Sequence, residues 1–454
     1  MLGQQRIKQI TERILARSTA DQTEVMVQSY DGALTRFANS TIHQNVSEAD
    51  VNVSIRVILR DHVGGGAKIG VASTNNLDEG ALLRTLEAAL AIARRQPPNP
   101  DFKSLPGPQP SAEASAYSDA TAGCTPEARA RGAGTICLLA RDAGAVASGA
   151  LLTAALELTV ANSLGVFAYH RATQADINTV IMSDTSAGYA AAFSVDVRAL
   201  DFEAIGREAV AKCLKSQNPK PLEPGEYTVI LEPYAVQDFL HMMTWTGFGA
   251  VALQEGRSFM AGKLGQQIVD RRVSIWDDGL NPDGMPIPFD FEGVPKQRVD
   301  LIRDGVALGV VYDSYAAGKE EGKASTGHAL PAPNPMGPMP LNLFFAGGDT
   351  SLEEMIRSTE RGIYVTRFHY TRPVDPMHVV ITGMTRDGTF LVEHGEITYP
   401  VKNLRFTQSY LDALNHLGGI SRASRLLTGM GGIACDRVPA LKVHQFRFTG
   451  ATEF

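Results

Sequence analysis

Cysteine, tryptophan and long apolar runs are scarce in this sequence. Its 454 residues include four cysteines and two tryptophans, and no two cysteines form a CxxC pair. Scattered cysteines of this kind are typical of reduced thiols in a cytosolic protein and do not indicate a disulfide framework. No stretch approaches the roughly 20 apolar residues that a membrane-spanning helix needs. We therefore expect a cytoplasmic protein with no membrane partner.

A signal peptide and a basic cluster are also missing. Residues 1–17 carry apolar side chains at helical spacing, without the unbroken apolar core of a signal peptide. The 42 lysines and arginines against 49 acidic residues leave a net charge of -7. Because such a chain repels phosphate backbones, we expect no nucleic-acid partner.

The motifs of common hydrolases are absent as well. The sequence contains no GxSxG, no HExxH and no GxGxxG after a strand, and its ten histidines are dispersed. The acidic loop at 277–284 has enough oxygens to suggest calcium. It lacks the regularly alternating oxygen ligands and the terminal glutamate of an EF-hand loop, so we interpret it as a polar turn.

Proline-rich stretches divide the chain into separate units, as its length requires, and a mixture of helical and strand-like patterns predicts an α+β fold. The predicted units are an N-terminal α+β domain at 1–96, a Pro-rich linker at 97–124, a middle α+β domain at 125–218 and a β-rich C-terminal domain at 226–454.

Local signals predict several individual elements. The glycine run at 64–66 lies between two alternating segments and has no P-loop lysine, so it indicates a hairpin turn. Helices are predicted at about 78–95 and 202–215, and Thr125-Pro126 and Glu232-Pro233 each start a further helix. The segment from Thr350 to Glu353 matches a capping box.

The predicted helix after Pro233 carries the segment VQDFLHMMTWTG at 236–247. At this segment the chain resembles the TldD/PmbA family, formerly called modulators of DNA gyrase. Further family-like motifs follow in order: RFANS at 36–40, GVASTN at 70–75, VANSLG at 160–165, FEGVP at 291–295, STGH at 325–328, GDT at 348–350 and GEI at 395–397. The resemblance implies a three-segment architecture with mixed and antiparallel sheets and flanking helices.

The resemblance also implies where a metal site would lie. In TldD-type members the matching helix carries HExxxH, and a cysteine near the C-terminus is the third zinc ligand. Here His241 matches the first histidine, Met242 the glutamate base and Thr246 the second histidine, while Cys435 lies near the expected cysteine. Methionine cannot accept a proton from water, and threonine is a poor zinc ligand. We therefore expect no catalytic residue, metal or other cofactor, with His241 and Cys435 as remnants.

This pattern resembles the TldE (PmbA) branch of the family. The resemblance implies a non-catalytic subunit that pairs with a zinc-bearing TldD-like partner to proteolyse unfolded or modified peptides. Hydrolysis is then expected only in the complex, with zinc in the partner. Two alternatives stay open: an autonomous homodimeric amide hydrolase that uses other residues, and a peptide-binding protein without a peptidase partner.

Overall fold

Two β-sheets organise the computed structural model, which describes residues 1–61, 65–432 and 434–452. A six-stranded sheet uses the first half of the chain, and an eleven-stranded sheet uses the second half. Helices flank both sheets, which confirms the predicted α+β class. No helix within the described ranges is long and apolar enough to cross a bilayer.

The first sheet is antiparallel throughout, with the strand order β3-β2-β1-β4-β5-β6. Its strands are β1 (Gln22–Ala38), β2 (Thr41–Arg60), β3 (Ala67–Thr74), β4 (Val146–Asn162), β5 (Phe167–Met182) and β6 (Ala187–Ser194). Since β1 pairs with both β2 and β4, strands from the first two predicted domains share this sheet. The division of the chain into three domains stays a prediction.

In the part of the chain that the structure describes, five helices accompany the first sheet: α1 (Gln4–Arg17), α2 (Glu79–Arg95), α3 (Asp119–Ala122), α4 (Pro126–Asp142) and α5 (Phe202–Lys215). Helix α2 buries its apolar stripe, including Leu82, Leu86 and Leu90, against β2 and β3. Thr125 caps α4 by accepting a hydrogen bond from the Ala128 N–H at 3.2 Å. The helices predicted near 78–95 and at 202–215 are thereby confirmed.

The second sheet is mixed, with β17 near its centre. Its strands are β7 (Glu226–Leu231), β8 (Ile275–Asp277), β9 (Val299–Arg303), β10 (Val306–Ala307), β11 (Asn342–Phe345), β12 (Arg361–Asp375), β13 (Val380–Glu393), β14 (Glu396–Pro400), β15 (Leu404–Ser409), β16 (Leu417–Thr428) and β17 (Cys435–Ala451). Strand β17 pairs with β7, β11, β15 and β16, so it joins distant parts of the C-terminal half.

Among the described residues of the second half, five helices are present: α6 (Pro233–Gly247), α7 (Ala250–Gln254), α8 (Ser314–Ala317), α9 (Leu352–Arg357) and α10 (Tyr410–Asn415). Helix α6 packs on β12 and β17. Its buried Phe239 stacks on Tyr410 with ring centroids 3.8 Å apart, and Leu240 and Met243 are fully buried beside it. This apolar face fixes the rotation of α6 about its axis.

One local prediction changes in the structure, and another agrees with the strand pairing. The capping box of α9 is formed by Ser351 and Glu354, one residue later than predicted, while the Thr350 hydroxyl donates to Asp349 Oδ1. The connection at 64–66 does join antiparallel strands, because Arg60 pairs with Ala67. Gly64 itself lies outside the described residues.

A buried ion cluster joins the first sheet to the C-terminal half. The Arg56 guanidinium on β2 lies 2.7 Å from Glu24 Oε2 on β1 and 3.1 Å from Glu292 Oε1 in the loop after β8. All three side chains are at most 10% exposed. Because the two carboxylates share one cation, loss of that cation would leave both charges buried without compensation.

We predict that Arg56→Leu lowers the free energy of unfolding by about 3–5 kcal/mol, the range for breaking a buried ion pair. Urea denaturation followed by circular dichroism measures the change. The matched control is Arg13→Leu, because Arg13 forms an exposed pair with Glu79 and should cost less than about 1 kcal/mol. Equal effects of the two substitutions would contradict the role of the cluster.

Candidate functional site

Helix α6 and strand β17 bring His241 and Asp436 together. His241 Nε2 lies 2.7 Å from Asp436 Oδ2, although the two residues are 195 positions apart in sequence. One turn earlier on α6, Gln237 donates to the same Oδ2 at 2.9 Å and to the Thr428 carbonyl at 2.7 Å. The Asp436 side chain is 2% exposed and that of His241 25% exposed. The carboxylate of Asp436 is therefore held by two side chains of the same helix.

The charges around His241 favour its protonated form. Burial lowers the pKa of the imidazole, but the hydrogen bond and charge of Asp436 outweigh it, with a further contribution from Asp238. The net result is a pKa above the ordinary value of 6.5. Asp238 is itself held by Thr371 at 2.7 Å and Tyr410 at 2.5 Å. His241 and Asp436 thus form an imidazolium–carboxylate pair at the lower end of the physiological pH range.

Met242 and Thr246 take no part in this contact. Met242 is half-buried and packs against the core of the C-terminal half. Thr246 is buried, and its hydroxyl donates to the Met242 carbonyl at 2.7 Å, one turn back in its own helix. These two positions, which match the glutamate and the second histidine of HExxxH, therefore hold an apolar side chain and a hydroxyl engaged within the helix.

Cys435 does not join His241. Consecutive residues of a strand point to opposite faces, so Cys435 faces away from Asp436 on β17. The Cys435 sulfur accepts a hydrogen bond from the Met285 N–H at 2.9 Å, in an apolar cluster with Ala116, Ala172 and Phe193. Burial, with a smaller effect of the Asp436 charge, raises the pKa of the thiol to about 12. Cys435 is therefore a buried thiol that contacts the Met285 backbone and lies apart from His241.

These residues do not fit a catalytic zinc ion, which needs three protein ligands and an open position. The imidazole of His241 is already bonded to Asp436, and Cys435 lies on the other face of β17. Among the described residues, no three histidine, cysteine, aspartate or glutamate side chains converge as a metal site would require.

The acidic loop after β8 is a polar turn, as predicted. Asp278 Oδ1 accepts from the Leu280 N–H, and Asn281 Oδ1 accepts from the Asp283 N–H, which are short-range turn contacts. Asp277 points inward and is fully buried. Its Oδ1 lies 2.8 Å from His328 Nε2, and its Oδ2 accepts from two backbone N–H groups at 341 and 342.

A cleft of about 300 Å³ lies between the first sheet and the loop that follows β8. Its floor comes from β1, β2, β4 and β5, and its walls are mainly apolar: Leu156, Leu158, Ala172, Met285, Ile287, Phe289, Phe291, Ala329 and Leu341. Polar side chains also line it, including those of Gln28, Asn52, His170, Asp290 and Lys296. Because Met285 and Ala172 also surround Cys435, the cleft lies on the Cys435 side of β17.

Models of two family domains match this chain. Residues 224–450 match the PmbA/TldA metallopeptidase C-terminal domain, and residues 23–93 match the PmbA/TldA metallopeptidase domain 1. The chain belongs to the PmbA/TldD metallopeptidase family. This confirms the resemblance that the sequence motifs indicated.

Relatives from several organisms agree with this family. Metalloprotease PmbA of Escherichia coli O157:H7 is 25% identical over 413 residues, which are 88% of this chain and 87% of that protein. The Metalloprotease TldD homolog of Haemophilus influenzae is 28% identical over 56% of this chain and 54% of its own length. A Methanothermobacter thermautotrophicus metalloprotease is 26% identical over 53% of this chain and 52% of its own length. The chain thus spans about half the length of the last two relatives.

Solved structures of related chains have the same fold. TldE from Thermococcus kodakarensis superposes with a TM-score of 0.86 at 21% identity, covering 98% of this chain and 99% of that one. A Thermotoga maritima MSB8 protein also superposes with a TM-score of 0.86, at 20% identity, covering 98% of this chain and 100% of that one. The shared fold extends over nearly the whole chain, including both sheets.

The sequence did not single out Asp436, and it indicated His328 only as part of a family-like motif. Asp436 follows Cys435 directly, and the alternation of β17 was the signal that could have placed it on the His241 side. His328 belongs to the STGH motif, but its contact with Asp277 joins positions 51 residues apart. No local pattern indicates that pairing.

We predict that His241→Gln lowers the melting temperature at pH 5 and has little effect at pH 9. The folded-state pKa of His241 lies above the unfolded value, so its stabilisation is fully present below about pH 6.5 and is lost as the pH rises through the folded pKa. Glutamine keeps a donor for Asp436 but carries no charge.

Differential scanning fluorimetry of both proteins between pH 5 and pH 9 measures this dependence. The control His43→Gln changes an exposed histidine of β2 and should leave the melting temperature unchanged across the range. The charged pair does not stabilise the fold if the difference in melting temperature between His241→Gln and the unmodified protein stays constant with pH or grows toward pH 9.

Proposed function

We propose that this chain is a non-catalytic, TldE/PmbA-like subunit of a two-component zinc metallopeptidase. In this proposal a TldD-like partner carries the zinc, the complex proteolyses unfolded or modified peptides, and the pair works in the cytoplasm. The observation that carries the proposal is the contact between His241 and Asp436. It gives the remaining histidine of the helix a protein partner at Nε2.

The neighbouring groups support the same conclusion. Met242 supplies no base for a water molecule, and the Thr246 hydroxyl is used within α6. The Cys435 thiol is buried and faces the opposite side of the sheet. A hydrolytic zinc site in this chain alone would therefore require several side chains to change position at once.

The cleft between the two halves supports a role in holding peptides. Its volume of about 300 Å³ matches the lower end of ligand sites in proteins. Apolar walls with a few polar groups suit side chains of varied sequence, as expected for a protein that holds unfolded segments. A subunit that only shapes such a space needs no catalytic group of its own.

Exposed apolar side chains near α6 support a protein partner. Trp245, near the end of α6, is 56% exposed. Tyr370 and Val374 are 66% and 60% exposed on β12, a strand that packs against α6. Large exposed apolar groups of this kind are enriched at protein interfaces. An obligate interface of this type would bury roughly 2,000 Å² or more.

Reconstitution with a TldD-like protein that has an intact HExxxH helix tests the proposal. We predict that the two proteins co-elute in size-exclusion chromatography with mass detection, and that peptidase activity appears only in the mixed peak. A chelator should abolish this activity. Elemental analysis of the isolated chain should find far less than one zinc per chain, since its donor set does not suit the metal.

Two variants test the interface and the role of His241 within the reconstituted complex. Trp245→Lys should weaken co-elution by placing a charge in the interface, whereas Leu138→Lys, at an exposed position on α4, should not. His241→Ala should leave the turnover of the assembled complex largely intact. Separate elution of the two proteins, or stoichiometric zinc with peptide cleavage by this chain alone, would favour the autonomous homodimeric hydrolase. Peptide binding without any partner would favour a pure binding protein.

A further inference from the structure

Strand β2 is paired along only part of its outer edge. Its 20 residues pair with β1 along nearly their whole length on one side. On the other side, β3 pairs only with residues 53–60. Within the described part of the chain, no other strand or bridge pairs with residues 41–52. These residues therefore leave an open edge in line with β3, roughly 40 Å long at the usual rise of a strand.

The side chains along this open edge are exposed as well. Every residue from 41 to 50 is exposed, including the apolar Ile42 (36%) and Val46 (40%). By contrast, residues 53–58 of the same strand are buried where β3 and α2 pack against it. An open strand edge presents alternate backbone N–H and C=O groups without a partner, and proteins usually shorten, bend or cover such edges. An edge of this length therefore suits pairing with another extended chain.

The open edge lies at the mouth of the cleft. Asp50 pairs in register with Tyr30, and both residues line the cleft. The next pair on that face, Asn52 and Gln28, lines it too. Because successive side chains of a strand alternate between faces, Glu48 points to the same face as Asp50. The pKa of Tyr30 agrees with this, since burial raises it and the charge of Glu48 raises it further. A strand added to the edge would direct every second side chain toward the cleft.

The accessible charges of the open edge are acidic. Residues 41–52 include Glu48 and Asp50 but no lysine or arginine. Neither carboxylate has a hydrogen bond or an ion pair with another described residue. On β1, Arg36 lies toward the hairpin turn and donates to Gln44 Oε1 at 3.5 Å, while Arg56 of β2 is held in the buried ion cluster. The edge thus offers two free carboxylates and no cation of its own.

The charged groups deeper in the cleft are buried or neutral. Lys296 is 2% exposed and lies 4.0 Å from Asp277 Oδ1, which compensates its charge. Asp290 accepts three backbone hydrogen bonds, and Glu157 accepts from two backbone N–H groups and a tyrosine hydroxyl. Burial lowers the pKa of His170, so its imidazole is neutral at pH 7. A ligand at the mouth therefore meets the two free carboxylates first and apolar walls beyond them.

Charge distinguishes between the chains that could pair with this edge. A second copy that paired through the same residues would bring two further carboxylates and no lysine or arginine. Like charges on adjacent strands destabilise their pairing, whereas opposite charges stabilise it. An extended peptide that carries lysine or arginine therefore complements the edge better than a second copy does.

We propose that residues 41–52 of β2 bind the peptide held by this protein as an added β-strand, with a preference for lysine or arginine at positions that face the cleft. The inference rests on the proposed peptide-holding function and adds the conformation and the charge of the substrate. Main-chain hydrogen bonds give affinity that does not depend on sequence. Alternate side chains then reach the apolar walls or the carboxylates of Glu48 and Asp50.

Fluorescence anisotropy of a labelled octapeptide with the full-length chain tests the backbone pairing. The peptide alternates threonine with valine and lysine, so that its valines and lysines share one face when it is extended. N-methylation of the central amides, one at a time, removes each N–H in turn. We expect a roughly tenfold loss of affinity at every second position and less than about twofold in between, because only alternate amides of a strand face its neighbour. Equal losses at all positions, or none, would overturn the pairing and leave the peptide-holding function standing.

Neutral substitutions of the two acids test the preference for basic side chains. Replacing the lysines of the octapeptide by acetyllysine should weaken its binding to the unmodified protein about fivefold, as expected for two cross-strand charge pairs. The double variant Glu48→Gln, Asp50→Asn should bind both peptides equally. The control Glu87→Gln changes an exposed glutamate of α2 and should keep the preference. A preference for lysine that persists in the double variant would contradict the role of these carboxylates.

Hydrogen exchange of residues 41–52, followed by mass spectrometry, identifies the occupant of the edge. The octapeptide should slow exchange in this segment, and an N-methylated octapeptide that does not bind should leave it unchanged. Slowing on addition of a TldD-like partner without peptide would assign the edge to the subunit interface. Slowing that depends only on the concentration of this chain would assign it to a second copy, and either result would overturn the proposal. If the octapeptide binds neither this chain nor the reconstituted complex, the peptide-holding function is contradicted as well.

Discussion

The contact between His241 and Asp436 is the constraint on which the account of this protein depends. It joins helix α6 to the central strand of the C-terminal sheet. The apolar face of α6, with Phe239 stacked on Tyr410, sets the rotation that directs His241 toward β17. The contact between His241 and Asp436 then joins this helix to the strand.

Much of the fold was accessible from the sequence because its signals are local. The helices near 78–95 and 202–215 show clear apolar periodicity, and Thr125 and Pro126 mark a helix start by side-chain chemistry alone. The capping box of α9 was predicted one residue too early, because Thr350 and Ser351 are both residues that can cap a helix. Which of the two caps the helix depends on the path of the preceding chain.

The site was less accessible, because its contacts are long-range. His241 was identified by its place in a family motif, and the same resemblance pointed to Cys435 as its partner. In the structure Cys435 lies on the other face of β17, and Asp436 contacts His241. Lys296, Asp277 and His328 form a buried charged cluster from three separate segments. No spacing in the sequence brings them together; the pairing of β8 with β9 and β11 does.

A double-mutant cycle with His241→Gln and Asp436→Asn measures how strongly the two side chains stabilise the fold together. Unfolding free energies of the four proteins at pH 6, measured with and without a chelator, give the coupling between the two side chains. We expect a favourable coupling of about 1–3 kcal/mol, as for a hydrogen bond to a charged group, that the chelator does not change. A coupling near zero, or one that disappears on removal of metal ions, would contradict it.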